Sequence, residues 1–228
     1  MIRRFRGHNA AITCIQFNEE SSIIISGSQD NTVKFWDTRS KNYKEIQTLD
    51  EPGDAVTSMA ITDHSVLVGS VDGWTRLYDL RQGQMSSDCM GEAVTSVSIS
   101  RDKASHLISI VNGDIRLIDK DTGQLLASYN APDDYKLDSA YKTEVSFDFS
   151  DTVVIGGGYS KVYGDLSGPR LYFWDLITQK LIAVGMLNTE GRQCYPVSSI
   201  CSHPTKPLLI AAAGSGVWTF STDEAHLK

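Results

Sequence analysis

The chain has 228 residues, of which 41% are hydrophobic and 21% charged, with a net charge of −7. This composition excludes a chain disordered by content, and the length suits one large repeat domain better than two independent cores. The acidic balance argues against a nucleic-acid backbone as the main partner, because such binding draws on concentrated Lys and Arg.

In chain order, Arg3, Arg4 and Arg6 form the one small basic cluster. Flanked by Ile2 and Phe5, they read as the charged edge of an outer strand, Ile2–Phe5, rather than a nucleic-acid arm. Ile12, Ile15 and Phe17 mark an inner strand, and the β-branched run Ile23–Ser28 fits a strand buried on both faces. The turn Gln29-Asp30-Asn31 leads into a third strand, Thr32–Asp37, and Glu45–Leu49 reads as a short outer strand. A second unit repeats the pattern with Val56–Ile61, Val66–Ser70 and Trp74–Asp79, turning at Asp72-Gly73. A third uses Val94–Ile99, His106–Ile110 and Ile115–Asp119, turning at Asn112-Gly113, with Leu125–Tyr129 outside it. A fourth runs to Trp174-Asp175 and carries an insertion, Tyr159–Pro169, before its third strand. A fifth spans Val197–Ser202, Leu208–Ala212 and Gly216–Phe220. Helical periodicity is almost absent, so the chain reads as all-β.

Each unit ends in an aromatic or aliphatic residue followed by an acid or its stand-in: Trp36-Asp37, Tyr78-Asp79, Ile118-Asp119, Trp174-Asp175 and Phe220-Ser221. A recurrence every ~40–45 residues, with a Gly7-His8 opening, is the mark of a four-stranded propeller blade. The expected architecture is a β-propeller of five four-stranded blades in a single domain, with repeats at about 6–49, 50–90, 91–130, 131–187 and 188–228. Two arrangements of its ends remain open. Ile2–Phe5 completes the fifth blade and closes the ring, or the blades form an open arc whose end faces demand a partner.

His8, Ser26 and Asp30 resemble a hydrolase triad, which needs an exposed Ser oxygen, a His in reach and an oxyanion hole. Their positions argue otherwise. Asp30 sits in a turn six residues before Trp36, and Ser26 lies on the strand just before it. In propeller repeats such a set forms a structural chain from indole to hydroxyl to imidazole to carboxylate. The second repeat has Val68 at the Ser position and the third has Asn112 and Ile118, so only the first is expected to carry the whole lock.

Little else speaks for chemistry. The five histidines show no metal-ligand spacing. Gly156-Gly157-Gly158 lacks the Lys and Ser/Thr of a phosphate loop and reads as a turn or bulge at a strand end. No cofactor site is expected. Cys14, Cys89, Cys194 and Cys201 include no CxxC pair, and Cys14 and Cys201, inside apolar runs, read as buried thiols. No run of 18 apolar residues and no leader segment is apparent, which points to a reduced intracellular compartment.

With these residues in view the chain is identified as a WD-repeat protein. The stretches FRGHNAAITCIQFNEE, IISGSQDNTVKFWDTRS, LVGSVDG, RLYDLRQGQ, RLIDKDTGQLL and YFWDL resemble the mitogen-activated protein kinase organizer family, the WD repeat domain-containing protein 83 family. The resemblance implies a seven-bladed relative, against which the first two blades are absent here. It also implies a non-enzymatic scaffold for MAP-kinase cascade components in cytoplasm and nucleus. Association with the spliceosome in pre-mRNA splicing, and with a prolyl hydroxylase of the hypoxia response, is implied in the same way. No direct nucleic acid, membrane or small-molecule substrate is expected.

Two candidate partner surfaces follow. The insertion and the long link Ala131–Lys142 are expected at one end of the blades, bringing Tyr135, Tyr159, Lys161, Tyr163 and Arg170 to a rim. An insertion with no partner is the alternative. Arg39 and Arg81, each two residues after the acid of adjacent repeats, resemble the docking box of a cullin-type ubiquitin ligase receptor, though an Arg there also serves as a surface ion pair.

Overall fold

The structure, a computed structural model, describes residues 4–130, 144–160, 168–187 and 195–221, with the backbone alone of Tyr159 and Ser160. Among these residues there are nineteen strands and no helix. The strands form antiparallel sheets in which sequence neighbours are sheet neighbours. Four sheets have four strands each and the last has three. The all-β expectation holds, and the described part of the fifth unit supplies an inner, a second and a third strand.

The chain divides into two compact units, residues 1–99 and 100–228. The first unit contains β1 (Ile12–Phe17), β2 (Ile23–Ser28), β3 (Val33–Asp37) and β4 (Gln47–Leu49). A second sheet follows, with β5 (Val56–Ile61), β6 (Ser65–Ser70), β7 (Trp74–Asp79) and β8 (Gln84–Cys89), and the unit closes on β9 (Val94–Ile99). Strand identity follows from composition. β6, with the sequence SVLVGS, is buried on both faces and reads as a continuous apolar run. β8, with QMSSDC, lies on the rim and is mostly exposed. The core of this unit joins Ile25, Val33 and Phe35 of the first sheet to Val56, Met59 and Tyr78 of the second.

The second unit contains β10 (Ser105–Ile110), β11 (Ile115–Asp119) and β12 (Leu125–Tyr129), then β13 (Val145–Phe147), β14 (Val153–Ser160), β15 (Gly168–Asp175) and β16 (Leu181–Met186). It ends with β17 (Val197–Ser202), β18 (Leu208–Ala213) and β19 (Gly216–Ser221). One core gathers Tyr129, Tyr172 and Trp174 with Leu107 and Phe147, and another joins Ile155 and Leu171 to Val197 and Leu209.

Successive sheets are joined by a device that recurs in both units. Each inner strand begins with a β-branched residue, and at three junctions the preceding sheet leaves room for it with a glycine. A Cβ on Gly27 would lie 2.5 Å from Val56 Cγ1, one on Gly69 2.5 Å from Val94 Cγ1, and one on Gly157 2.8 Å from Val197 Cγ1. Side chains replaced by hydrogen at these positions let the valines seat fully. Beside the first two sockets a bulge in the inner strand turns a hydroxyl toward the next sheet. The ladder shifts between Ile12 and Cys14 and again between Val56 and Ser58. Thr13 Oγ1 then donates to the carbonyls of Gly27 at 3.1 Å and Val56 at 2.6 Å. Thr57 Oγ1 repeats this toward Gly69 at 3.0 Å and Val94 at 2.7 Å.

Several expectations are corrected here. Arg4 and Phe5 lie outside any strand, while Ile2 and Arg3 fall outside the described residues. Phe5 instead packs its ring on Trp36, with centroids 5.6 Å apart, because that indole presents an apolar edge beside it. Gly156-Gly157-Gly158 is the middle of β14 and no turn. A Cβ at Gly156 would meet Ile115 Cδ1 at 2.8 Å and the Trp174 ring at 3.0 Å, so packing, and no backbone bend, requires the glycine. Cys201 is exposed on β17, because its strand turns only Val197 and Ile200 toward the apolar side. Cys194 lies outside the described residues.

Candidate functional site: the polar lock and the loop end of the repeats

The turn between β2 and β3 sets the site. Asn31 takes φ +65°, and Gly73 and Gly113, at the same place in the next two repeats, take +81° and +91°. This left-handed residue closes a two-strand turn and leaves the acid just before it facing back along the blade. Asp30 therefore meets the loop that opens the repeat. His8 Nδ1 lies 3.0 Å from Asp30 Oδ2 and 3.1 Å from Oδ1, and the Asn9 amide donates to Oδ2 at 2.7 Å. Thr32 Oγ1 donates to Oδ1 at 2.6 Å. On the far side of the ring, His8 Nε2 lies 2.8 Å from Ser26 Oγ, which accepts the Trp36 indole N–H at 2.8 Å. The imidazole thus bridges the two, with Nδ1 facing the carboxylate and Nε2 the Ser26 hydroxyl.

Burial pushes the Asp30 carboxyl up, but the hydrogen bonds from Thr32, the Asn9 amide and His8 together outweigh it and hold it well below the usual carboxylate range. Ser26 is 1% exposed, and its oxygen is already occupied by an indole donor and an imidazole. A hollow of about 600 Å³ beside Trp36 and His8 touches Ser26 and is otherwise lined by residues such as Ile12, Ile15 and Ile24. The set ties two strands and a loop together and presents no nucleophile.

In the second repeat a different lock occupies the same place. Val68 replaces the Ser and is fully buried. Arg76, opposite Val68 in the ladder, donates to Ser70 Oγ at 3.0 Å and to Asp72 Oδ2 at 2.8 Å. Ser70 also donates to Asp72, and the Gly53 amide takes the part of the Asn9 amide at 2.8 Å. Burial raises the Asp72 carboxyl, and Arg76, Ser70 and the amides of Gly53 and Trp74 bring it down to about 2. Tyr78 stands where Trp36 does and donates to Glu51 Oε2 at 3.1 Å. Sequence reading missed Arg76. The available signal is a basic residue two positions before the closing aromatic, as in Lys34 before Trp36.

The third and fourth repeats lose the lock in different ways. Asn112 is exposed and bonds to its neighbour Asp114. In the fourth, Gly156 occupies the Ser position, so the Trp174 indole N–H finds no acceptor among the described residues. Trp174 is held instead by stacking on Tyr172, with centroids 5.6 Å apart.

At the opposite end of each sheet the closing acid has its own task. Asp37 accepts the amides of Arg39 at 2.7 Å and Ser40 at 3.1 Å, and Asp79 those of Arg81 at 2.8 Å and Gln82 at 2.9 Å. Asp119 and Asp175 cap the equivalent turns through Thr122 and Thr178. The apolar residue of each pair is buried and the acid fixes the turn. Arg39 and Arg81 thus leave equivalent capped turns, both exposed.

The other partner residues separate. Tyr135, Lys161 and Tyr163 lie outside the described residues. Tyr159 and Pro169 are opposed in a ladder that runs out to Ser160 and Gly168. The insertion therefore begins as an extension of the β14–β15 hairpin and narrows to residues 161–167. Arg170 is 3% exposed, its side chain directed inward from β15, which removes it from the expected rim. Among the described residues no group of three His, Cys, Asp or Glu could hold a metal ion, and no helix is long and apolar enough to cross a membrane.

Repeated antiparallel sheets, each closed by an aromatic or aliphatic residue followed by an acid or its stand-in, define a WD-repeat β-propeller protein. The family described as "WD domain, G-beta repeat" matches residues 1–37. The chain is homologous to WD repeat domain-containing protein 83: it is 37% identical to the rat protein over 190 residues, covering 82% of this chain and 55% of that protein. A homolog from Dictyostelium discoideum is 27% identical over 242 residues, covering 93% of this chain and 69% of its own length. The chain thus spans about half the length of its mammalian relatives. Among solved structures, the computationally designed Ika8 protein aligns with a TM-score of 0.70 at 22% identity, over 96% of this chain and 61% of that one, a likeness of fold alone.

Proposed function

We propose that the chain is a protein-interaction scaffold, the usual and typically non-catalytic role of a WD-repeat propeller. The carrying observation is the fate of the Ser-His-Asp set. Residues that would serve as nucleophile, base and orienter are consumed in bracing the first repeat, and Ser26 is inaccessible. A braced surface of loops is suited to recognition.

The resemblance supports a finer reading, in which the repeats act as one domain that gathers components of a MAP-kinase cascade and of the spliceosome, in cytoplasm and nucleus. The hypoxia-response prolyl hydroxylase belongs to the same set. Tyr135, Tyr159, Lys161 and Tyr163, around the β14–β15 hairpin and the preceding link, are the proposed contacts, since Tyr is among the residue types that dominate interface energetics. The test is affinity capture from cells with the full chain and with a variant lacking residues 161–167. Kinase-cascade or spliceosomal proteins are expected with the full chain and reduced with the deletion. An unchanged partner list removes the hairpin from the interface, and capture of neither class overturns the finer reading.

A second reading, an adaptor of a cullin-type ubiquitin ligase, is favoured by the equivalent, exposed setting of Arg39 and Arg81. Capture of a ligase linker protein that is lost on Arg39→Glu with Arg81→Glu would support it. Absence of any linker from the captured set would remove it.

A further inference from the structure

The seating of valine into glycine, made at Gly27–Val56, Gly69–Val94 and Gly157–Val197, has two unmatched members. Ile12 opens β1 as Val56 opens β5, followed in both by Thr and a bulge. Val56 is 0% exposed, but Ile12 is 58% exposed, and Ile15 and Phe17 beside it are exposed as well. This is an apolar projection without a receiving sheet.

The receiving half stands at the other end of the series. In the ladder of the last sheet, Ile210 takes the place of Ile25, Ala212 that of Gly27 and Val217 that of Val33. Val33 is 0% exposed beneath the second sheet, whereas Val217 is 70% exposed and Ile210 is exposed too. Ala212 keeps the socket small. Both surfaces therefore continue an interface that the chain already builds three times, one carrying its projecting half and the other its receiving half.

We propose that a second copy of this chain occupies these surfaces, the β1 face of one copy seating against the β18–β19 face of the next in a head-to-tail contact. Continuity with the existing sheet-to-sheet interface selects this occupant: the donor of the missing half needs a small residue opposite Ile12 and apolar flanks opposite Ile15, and the chain's own last sheet presents both. Burial of the exposed aliphatic side chains drives the association, and the polar continuation is the Ser198 hydroxyl, which donates to the Ala212 carbonyl at 3.2 Å as Thr13 does to that of Gly27. Because the two surfaces differ, the contact is heterologous and leaves an unused half at each end of an assembly.

The experiment is sedimentation equilibrium on the full chain across a wide concentration range, with Ile12→Asp and Val217→Asp as separate variants. Both positions are exposed, so neither change disturbs the protomer's own core. The wild type is expected to gain mass with concentration beyond the 25.1 kDa protomer, and each variant alone to remain at protomer mass. An equimolar mixture of the two is expected to form a heterodimer of twice that mass and stop, since one copy retains only the receiving half and the other only the projecting half. Ile15→Asp and Ile210→Asp provide a second pair should circular dichroism show either first variant misfolded. A wild type that stays monomeric throughout overturns the proposal. So does association that survives both substitutions, or a mixture that remains at protomer mass.

Discussion

At the scale of single residues, the four-member chain of the first repeat explains why its polar groups are tolerated inside a blade. Each buried donor has an acceptor, so the desolvation cost of one group is offset by the next. Asp30→Ala leaves His8 without its carboxylate and should cost about 1–3 kcal/mol. Asn112→Ala, at the same place in the third repeat, should cost clearly less, because Asn112 is exposed and bonds only locally. Urea melts compare the two directly, and equal losses would count against a structural role for the network. A serine-directed phosphonate probe should leave Ser26 unlabelled in the folded protein, its hydroxyl being held between His8 and Trp36. Trp36→Phe should destabilise more than Trp174→Phe: both shrink an aromatic, but only the first strips Ser26 of its indole donor. Thermal melts in which Trp174→Phe is the more damaging would reverse that assignment.

At the scale of the sheet, the second strand of a repeat carries two unrelated instructions in alternate residues. One face of β2 holds Ser26 for the lock, and the next residue, Gly27, yields its Cβ space to the following sheet. Gly27→Ala drives a methyl to within 2.5 Å of Val56 Cγ1 and 2.7 Å of Cys14 Sγ. Overpacking of this kind costs about 1–3 kcal/mol. Val56→Ala clears the same space, so the double variant should recover part of the loss. A double-mutant cycle with purely additive effects would show that the two side chains do not meet.

At the scale of the molecule, acid should weaken the fold in two windows of pH. His106 is buried in β10, where the other repeats place Ile24, Val66 and Val154. Burial first, and Lys120 second, push its ring down to about 4 against the opposing pull of Asp119 and Asp121. Its folded value lies below the unfolded 6.5, so its contribution is complete above 6.5 and is lost as pH falls toward 4. Below the ordinary carboxylate value of 3.8, Asp30 and Asp72 lose their stabilising ionised forms in turn. Asp88 and Asp151, which burial pushes upward, act with the opposite sign: their gain comes as pH falls toward 3.8, so it partly offsets the loss from His106. Denaturant midpoints measured from pH 7 to pH 4.5 should fall for the wild type and fall less for His106→Ile. Parallel curves would show that His106 does not govern the upper window.

Much of this architecture was legible in the chain. The recurring Trp-Asp pairs, the period and the β-branched runs located the inner and central strands almost to the residue, because strand periodicity and turn residues are local properties. The lock of the first repeat was legible for the same reason, its members standing at set distances from Trp36. The Arg76 substitute was not: its local signal, a basic residue two positions before the closing aromatic, does not show that an arginine opposite a buried valine will reach back to Asp72. Nor were the glycine sockets: Gly27 passes as one more residue of a β-branched run, and Gly157 reads as a turn or bulge, until the valine of the next sheet is set against each. Arg170 illustrates the converse error, a charged residue beside an insertion that reads as rim but points inward once β14 and β15 pair out to Ser160 and Gly168. The sequence alone determined the class of fold and the repeated elements. Which side chains meet between sheets, and hence which surfaces are left to receive a partner, only the tertiary structure decided, because those contacts join residues tens of positions apart whose spacing carries no local signal.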